Sequence, residues 1–171
     1  MLEAIRRRRE NDEAGFTLIE LMVVVLIIAI LLAIAIPTFL GARQRAQNRA
    51  AQSDIRNALA AEKVFYTDDE VYTQLVASLD AIEPQLTYNA GALPATDPAR
   101  MIWVNVRAGN VAGDLSAVCL SRQSASGTWF SLLDVAIGAN AGTFYYAVSG
   151  CTGPGGAEDG LAAPTGPTTG W

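Results

Sequence analysis

The sequence predicts an α+β chain: a long N-terminal helix whose first half is membrane-spanning, packed against a C-terminal antiparallel sheet of about four strands. Three observations predict it. Residues 21–36 are apolar without a break. An amphipathic, Ala-rich stretch carries the helical pattern on to about Tyr66. Four short runs rich in β-branched and aromatic residues then follow, each bounded by turn-forming residues.

The first fifteen residues carry no apolar periodicity. Four arginines at 6–9 are balanced by Glu3, Glu10, Asp12 and Glu13, and the stretch ends in Ala14-Gly15. A secretory signal would place its small-residue cleavage site after a short apolar segment. Here the apolar segment is too long, and the small residue, Gly15, precedes it. Cleavage after Gly15 would remove a leader, residues 1–15, and keep the helix. Gly15 taken alone is an ordinary glycine at the start of a helix.

Residues 16–36 make 21 residues, about 31 Å as a helix. That matches a hydrocarbon core of about 30 Å. Sixteen uninterrupted apolar residues leave no polar face for water, which argues against the core helix of a soluble protein. Glu20 is the one charge in this run and sits near its edge. An acid at the bilayer centre costs roughly 2.5–3.5 kcal/mol, and less toward an interface. It is either a snorkelling or protonated side chain, or it has a partner. The positive-inside rule gives almost a tie, since residues 6–9 lie on one side and Arg43, Arg45 and Arg49 on the other.

Pro37 closes the apolar segment, 16–40. It deprives the Ala33 carbonyl of its N–H partner, and Gly41 follows. The pair predicts a kink or a loosened turn rather than a stop. The extension, 41–66, places Ile55, Ala58, Leu59, Glu62 and Phe65 at helical spacing. All but Glu62 are apolar, and Ile55, Leu59 and Phe65 are expected to face the sheet. Asp68-Asp69-Glu70 oppose the dipole of a helix C-terminus, so the helix should end before or within them. As a Ca²⁺ site these three acids lack a defined loop; a solvated turn is the better reading. Residues 67–100 read as a connection containing one short helix, 74–82, with the Gly/Pro/Ala-rich 89–98 as loop.

The predicted strands are 101–106, 115–120, 128–135 and 143–148, within a sheet domain 101–151. Short connections predict antiparallel neighbours. Trp103, Trp129, Phe130, Tyr145 and Tyr146 fall on these strands, where packing is their expected role. Cys119 and Cys151 are the two cysteines, and there is no histidine. Their spacing fits no metal motif. One disulfide formed outside the cytosol is the economical reading, and two unrelated buried thiols the alternative. A bridge would close a loop of roughly 30 residues, worth about 3–4 kcal/mol in the chain-entropy description. Residues 152–171 have low complexity and are expected to be flexible.

Charge and motif content narrow the function. The 171 residues carry a formal charge of −5, with no basic surplus that would mark a nucleic-acid-binding site. No nucleophile constellation, phosphate-binding glycine loop or metal-ligand cluster appears, so neither an enzyme nor a cofactor is expected.

The junction Gly15-Phe16-Thr17-Leu18-Ile19-Glu20, with the charged leader before it and the apolar helix to Pro37 behind it, resembles the type IV prepilins and the related pseudopilins. The likeness covers roughly the first 40% of the chain. It implies that a membrane prepilin peptidase cuts between Gly15 and Phe16 and methylates the new amino group of Phe16. It implies that residues 6–9 stay cytoplasmic, that the precursor is single-pass in the inner membrane with its domain outside, and that the mature chain joins a cell-surface filament. By the same likeness Glu20 meets the Phe16 amine of a neighbouring copy, Pro37 marks a segment that loosens in the filament, and Cys119–Cys151 staples the C-terminal region. The implied partners are copies of itself and other pilins, the peptidase, the assembly platform and, before assembly, membrane lipid. The function implied is a type IV pilus-like subunit. The alternatives are a pseudopilin of a type II secretion or DNA-uptake machine, a minor or tip pilin and, remotely, a single-pass anchored binding protein.

Overall fold

A computed structural model describes residues 16–107, 115–138, 141–147 and 149–151. The leader, Gly15 and the tail 152–171 lie outside them. The chain divides into two bodies, Met1–Arg43 and Gln44–Trp171, and one helix, α1 (Leu18–Asp69), contributes to both. A second helix, α2 (Val76–Ile82), and five strands follow: β1 (Tyr88–Ala90), β2 (Ile102–Arg107), β3 (Ala117–Gln123), β4 (Trp129–Val135) and β5 (Gly142–Tyr146).

In the N-terminal body every residue from Phe16 to Leu40 is exposed, including Leu18 at 74% and Ile34 at 65%. α1 is the one helix among the described residues long and apolar enough to cross a membrane. Helix persists through Pro37. The Thr38 hydroxyl, one residue on, donates to the carbonyls of Ala35 at 2.9 Å and Ile34 at 3.2 Å.

In the C-terminal body the sheet order is β1-β2-β3-β4-β5. Strands β2 to β5 pair antiparallel, as their short connections predicted. Alternation puts Ile102 and Val104, Val118 and Leu120, and Phe130 and Leu132 on one face. They close over Ala51, Ile55, Ala58, Leu59 and Ala61 of α1, with Tyr72, Leu79 and Tyr88 completing the core.

Four expectations need correction. First, the expected sheet carries one additional short strand, because β1 pairs parallel with β2 in the register Tyr88↔Ile102. It lies at the start of what was predicted to be loop. Tyr88 is buried, which anchors this strand among residues whose composition reads as loop. The return from β1 to β2 is organised by Asp97, whose carboxylate accepts from Ala99 N–H (3.1 Å), Met101 N–H (2.7 Å) and Trp103 Nε1–H (3.0 Å). Second, α1 runs three residues beyond Tyr66 and ends at Asp69, within the acidic cluster where its stop was expected. Asp68 and Asp69 are exposed, so water screens the dipole penalty. The stop comes at Glu70, in the left-handed region at φ 57°, with its N–H on Tyr66 O at 2.9 Å. Third, α2 begins at Val76, not Gln74. Fourth, Phe65 is only half-buried and Tyr66 packs on the core instead. The predicted strand limits are otherwise displaced by at most three residues.

Candidate functional site

The sequence likeness centres on Phe16 to Glu20, at the start of α1. Thr17 is the last residue before the helix, and its carbonyl accepts the first helical bond, from Leu21 N–H at 3.3 Å. The Glu20 carboxylate accepts from Thr17 N–H at 3.0 Å and from the Thr17 hydroxyl at 2.7 Å. The Glu20 N–H in turn donates to Thr17 Oγ1 at 3.3 Å. This is a capping box: two backbone donors that a helix start leaves unpaired are satisfied reciprocally. It was missed from sequence, although Thr-x-x-Glu ahead of an apolar run is its signature. Both Glu20 contacts fall on Oε2. Phe16 is 88% exposed and lies four residues before Glu20 along the chain.

Pro37, the expected loosening point, lies inside the helix and away from this junction in sequence. The two cysteines belong to the C-terminal body. Cys119 of β3, the middle strand, is bonded to Cys151, with Cα atoms 5.8 Å apart. Both are buried. Arg107 of β2 donates to the Cys151 carbonyl at 2.8 Å, so the segment after β5 is fastened at two points. The face of the sheet away from α1 also holds the buried Ser121 and Ser131, whose hydroxyls lie 2.8 Å apart.

Two buried acids of the C-terminal body had no role in the sequence reading beyond an awkward position. Glu62, on the buried face of α1, is 0% exposed. Its Oε2 accepts from Thr73 N–H at 3.2 Å, and Oε1 has no hydrogen-bond partner. Burial pushes the Glu62 carboxyl up to about 7, against the lowering effect of the Thr73 bond. Asp134 of β4 is 3% exposed. It accepts from the Tyr72 hydroxyl, from the Thr143 hydroxyl at 2.5 Å and from Lys63 Nζ at 3.2 Å. Burial, then the bond to Asp134, drives the Tyr72 hydroxyl far above the usual tyrosine range. The two acids hold adjacent parts of one loop: Glu62 takes Thr73 and Asp134 takes Tyr72. Beside them opens a cleft of about 500 Å³ lined by Lys63, Tyr66, Tyr72, Asp134 and Thr143, among others. Both Asp134 oxygens are already engaged within the chain, which makes this set a clasp between α1, the loop and β4–β5. Among the described residues no group of three or more His, Cys, Asp and Glu is arranged to hold a metal ion.

Comparison with known proteins bears on the first of these regions. Residues 11–36 match the family model described as the prokaryotic N-terminal methylation motif. A type IV wide pilus major component of Thermus thermophilus is 39% identical over 69 residues, 40% of this chain and 53% of that protein. A type IV major pilin of Myxococcus xanthus is 44% identical over 59 residues, 34% of this chain and 27% of that protein. A type II secretion system core protein G of Pseudomonas aeruginosa is 33% identical over 81 residues, 47% of this chain and 57% of that protein. The matched stretches span from about a quarter to somewhat over half of these relatives' own lengths. The chain thus carries an N-terminal methylation motif that leads into an exposed apolar helix, followed by a disulfide-bonded sheet domain, and over its first part it is similar to type IV pilins and to type II secretion system core protein G.

Proposed function

We propose that the chain is the structural, non-catalytic subunit of a type IV pilus-like filament. One observation carries the reading: the methylation motif covers 11–36, so it takes in Gly15, Phe16 and Glu20 together with the exposed apolar half of α1. A prepilin peptidase would cut after Gly15 and methylate the Phe16 amine. Before assembly the apolar residues 16–40 would be covered by lipid, in a single-pass inner-membrane precursor with the sheet domain outside. After assembly the same surface would be covered by copies of itself and other pilins, at a membrane assembly platform. The apolar area is equally satisfied by either environment, so the exchange needs a polar contact to set register. Glu20 toward the Phe16 amine of a neighbour supplies one. Pro37 would let the helix loosen as copies pack. Cys119–Cys151 would keep the outer domain closed on the cell surface.

A second reading has its own support. Several relatives are named type II secretion system core protein G, at 31–33% identity. A pseudopilin would use the same helix in a shorter filament. Mass spectrometry of sheared surface material tests both. The pilus reading expects this chain as an abundant component beginning at methylated Phe16. A mature chain absent from sheared material favours the pseudopilin. A chain that keeps residues 1–15 and stays in membranes would sink both.

A further inference from the structure

Between Glu20 and Asp54 the chain has no acidic residue, and its only charges there are Arg43, Arg45 and Arg49. They lie three, five and nine residues after Leu40, where the exposed apolar segment ends. Helical length alone limits their distance beyond it to about 4.5, 7.5 and 13.5 Å. All three are exposed. Among the described residues none of them has a hydrogen-bond or ion-pair partner. Arg56 and Lys63 further along α1 and Arg122 of β3 are each engaged, Lys63 by Asp134 and Arg122 by Asp54. Asp114, Glu158 and Asp159 fall outside the described residues. The sheet brings hydroxyls to this part of α1. The turn between β3 and β4 is fastened at Asn48, whose Oδ1 accepts from the Ser124 hydroxyl at 2.8 Å and the Ser126 hydroxyl at 2.6 Å. Gly127 and Thr128 of that turn are exposed, and residues 115–133 contain no Asp or Glu.

Three features point to one kind of partner. The charges are all Arg, whose planar guanidinium binds phosphate through paired hydrogen bonds. At about 100° per residue Arg43 falls about 120–160° round the helix from Arg45 and Arg49, so the charges ring α1 instead of lining one side. A protein partner takes one side of a helix, whereas a lipid leaflet surrounds it. Helical side chains also tilt toward the helix N-terminus, which here is toward the apolar segment. The headgroup layer outside a hydrocarbon core is about 5–8 Å deep on each side. Counted from Leu40, Arg43 and Arg45 fall within that depth, and Arg49 leans back to it with its apolar stem along the helix. We propose that Arg43, Arg45 and Arg49 form a collar that binds anionic phospholipid headgroups of the leaflet on the sheet-domain side. The collar fixes the depth of the unassembled chain in the bilayer. This rests on the reading that residues 16–40 lie in lipid before assembly.

Native mass spectrometry tests it on chain extracted from membranes in mild detergent and mixed with equal amounts of phosphatidylglycerol and phosphatidylcholine. The unaltered chain retains phosphatidylglycerol over phosphatidylcholine by about tenfold or more, and Arg43→Gln, Arg45→Gln and Arg49→Gln together lower that preference by about tenfold. The readout covers the whole chain, Asp114, Glu158 and Asp159 included. All three positions are exposed on helix, and unaltered melting of the C-terminal body in the variant shows that the fold is retained. Equal retention of the two lipids by the unaltered chain overturns the proposal, and so does a preference that the three changes leave intact. The same loss from Arg56→Gln with Arg100→Gln assigns the preference to net charge and overturns the collar. Loss of the preference in excess inorganic phosphate assigns the arginines to a free anion and overturns the headgroup assignment. A chain that alkaline carbonate releases from membranes overturns the lipid reading beneath the proposal. A chain that stays in membranes without a lipid preference overturns the collar alone, which separates the two failures.

Discussion

Replacing Glu62 by Gln should stabilise the C-terminal body at pH 8 and do little at pH 5. Glu62 is fully buried, and one of its oxygens has no partner. Its carboxyl is raised from the usual 4.5 to about 7 by burial. In the unfolded chain the group ionises around the lower value, so between the two values the folded state holds a proton that the unfolded state has released. Stability linked to this group is therefore whole below about pH 4.5, falls as pH rises, and levels off above about pH 7. At 1.36 kcal/mol per tenfold step, the loss across the window is on the order of 3 kcal/mol. The neighbouring hydroxyls do not share the window: burial pushes both Tyr72 and Tyr88 well above the usual tyrosine range. Gln keeps an acceptor for Thr73 N–H and cannot ionise. Thermal unfolding of the detergent-solubilised chain with its disulfide intact, followed by tryptophan fluorescence, gives the comparison. For a body spanning Gln44–Trp171 the pH 8 gain corresponds to roughly 10 °C. Equal pH slopes in the two proteins, or a less stable Gln variant at pH 8, would refute the account.

The disulfide and the clasp give two further expectations. Converting both Cys119 and Cys151 to Ser, or reducing them, should lower stability by about 3–4 kcal/mol in denaturant unfolding, since the bridge closes a loop across a sequence separation of 32. Tyr72→Phe should cost about 1.5–3 kcal/mol in the same assay, because it removes a hydroxyl bonded to the buried Asp134 while Thr143 and Lys63 still hold that carboxylate.

Much of the fold was legible because two periodicities are strong. The unbroken run 21–36 left only a membrane-length helix, and Ile55, Ala58 and Leu59 marked the face that is indeed buried against the sheet. What was missed depends on contacts distant in sequence. β1 has three residues and exists through its pairing with β2 and the burial of Tyr88, neither of which leaves a local pattern. Glu62 read as a polar interruption because the Thr73 N–H that meets it lies beyond the helix end. Asp134 sits on a strand where alternation alone would face it inward or outward, and the Tyr72 hydroxyl that makes the inward choice tolerable is 62 residues away. The capping box is different. Its pattern is local and was overlooked because Glu20 had already been given a partner in a neighbouring copy.

Those two roles of Glu20 can be separated, since capping and ion pairing ask different things of one side chain. The cap needs an acceptor near Thr17, and Oε2 fills that need. Pairing with an amine needs negative charge on the group as a whole, which the cap does not consume. Glu20→Gln preserves an acceptor and removes the charge. Thr17→Ala preserves the charge and removes the side-chain half of the cap, a change worth about 0.5–2 kcal/mol to a helix start. If Glu20 acts only as a cap, the Gln variant assembles normally and the Thr17 variant suffers. If the amine contact directs assembly, the Gln variant is cut at Gly15 yet gives little sheared filament, while Thr17→Ala assembles nearly as well as the unaltered chain. The second outcome is expected, because a helix continued for 52 residues does not depend on its first turn, whereas an amine placed among apolar helices has few other anions to meet.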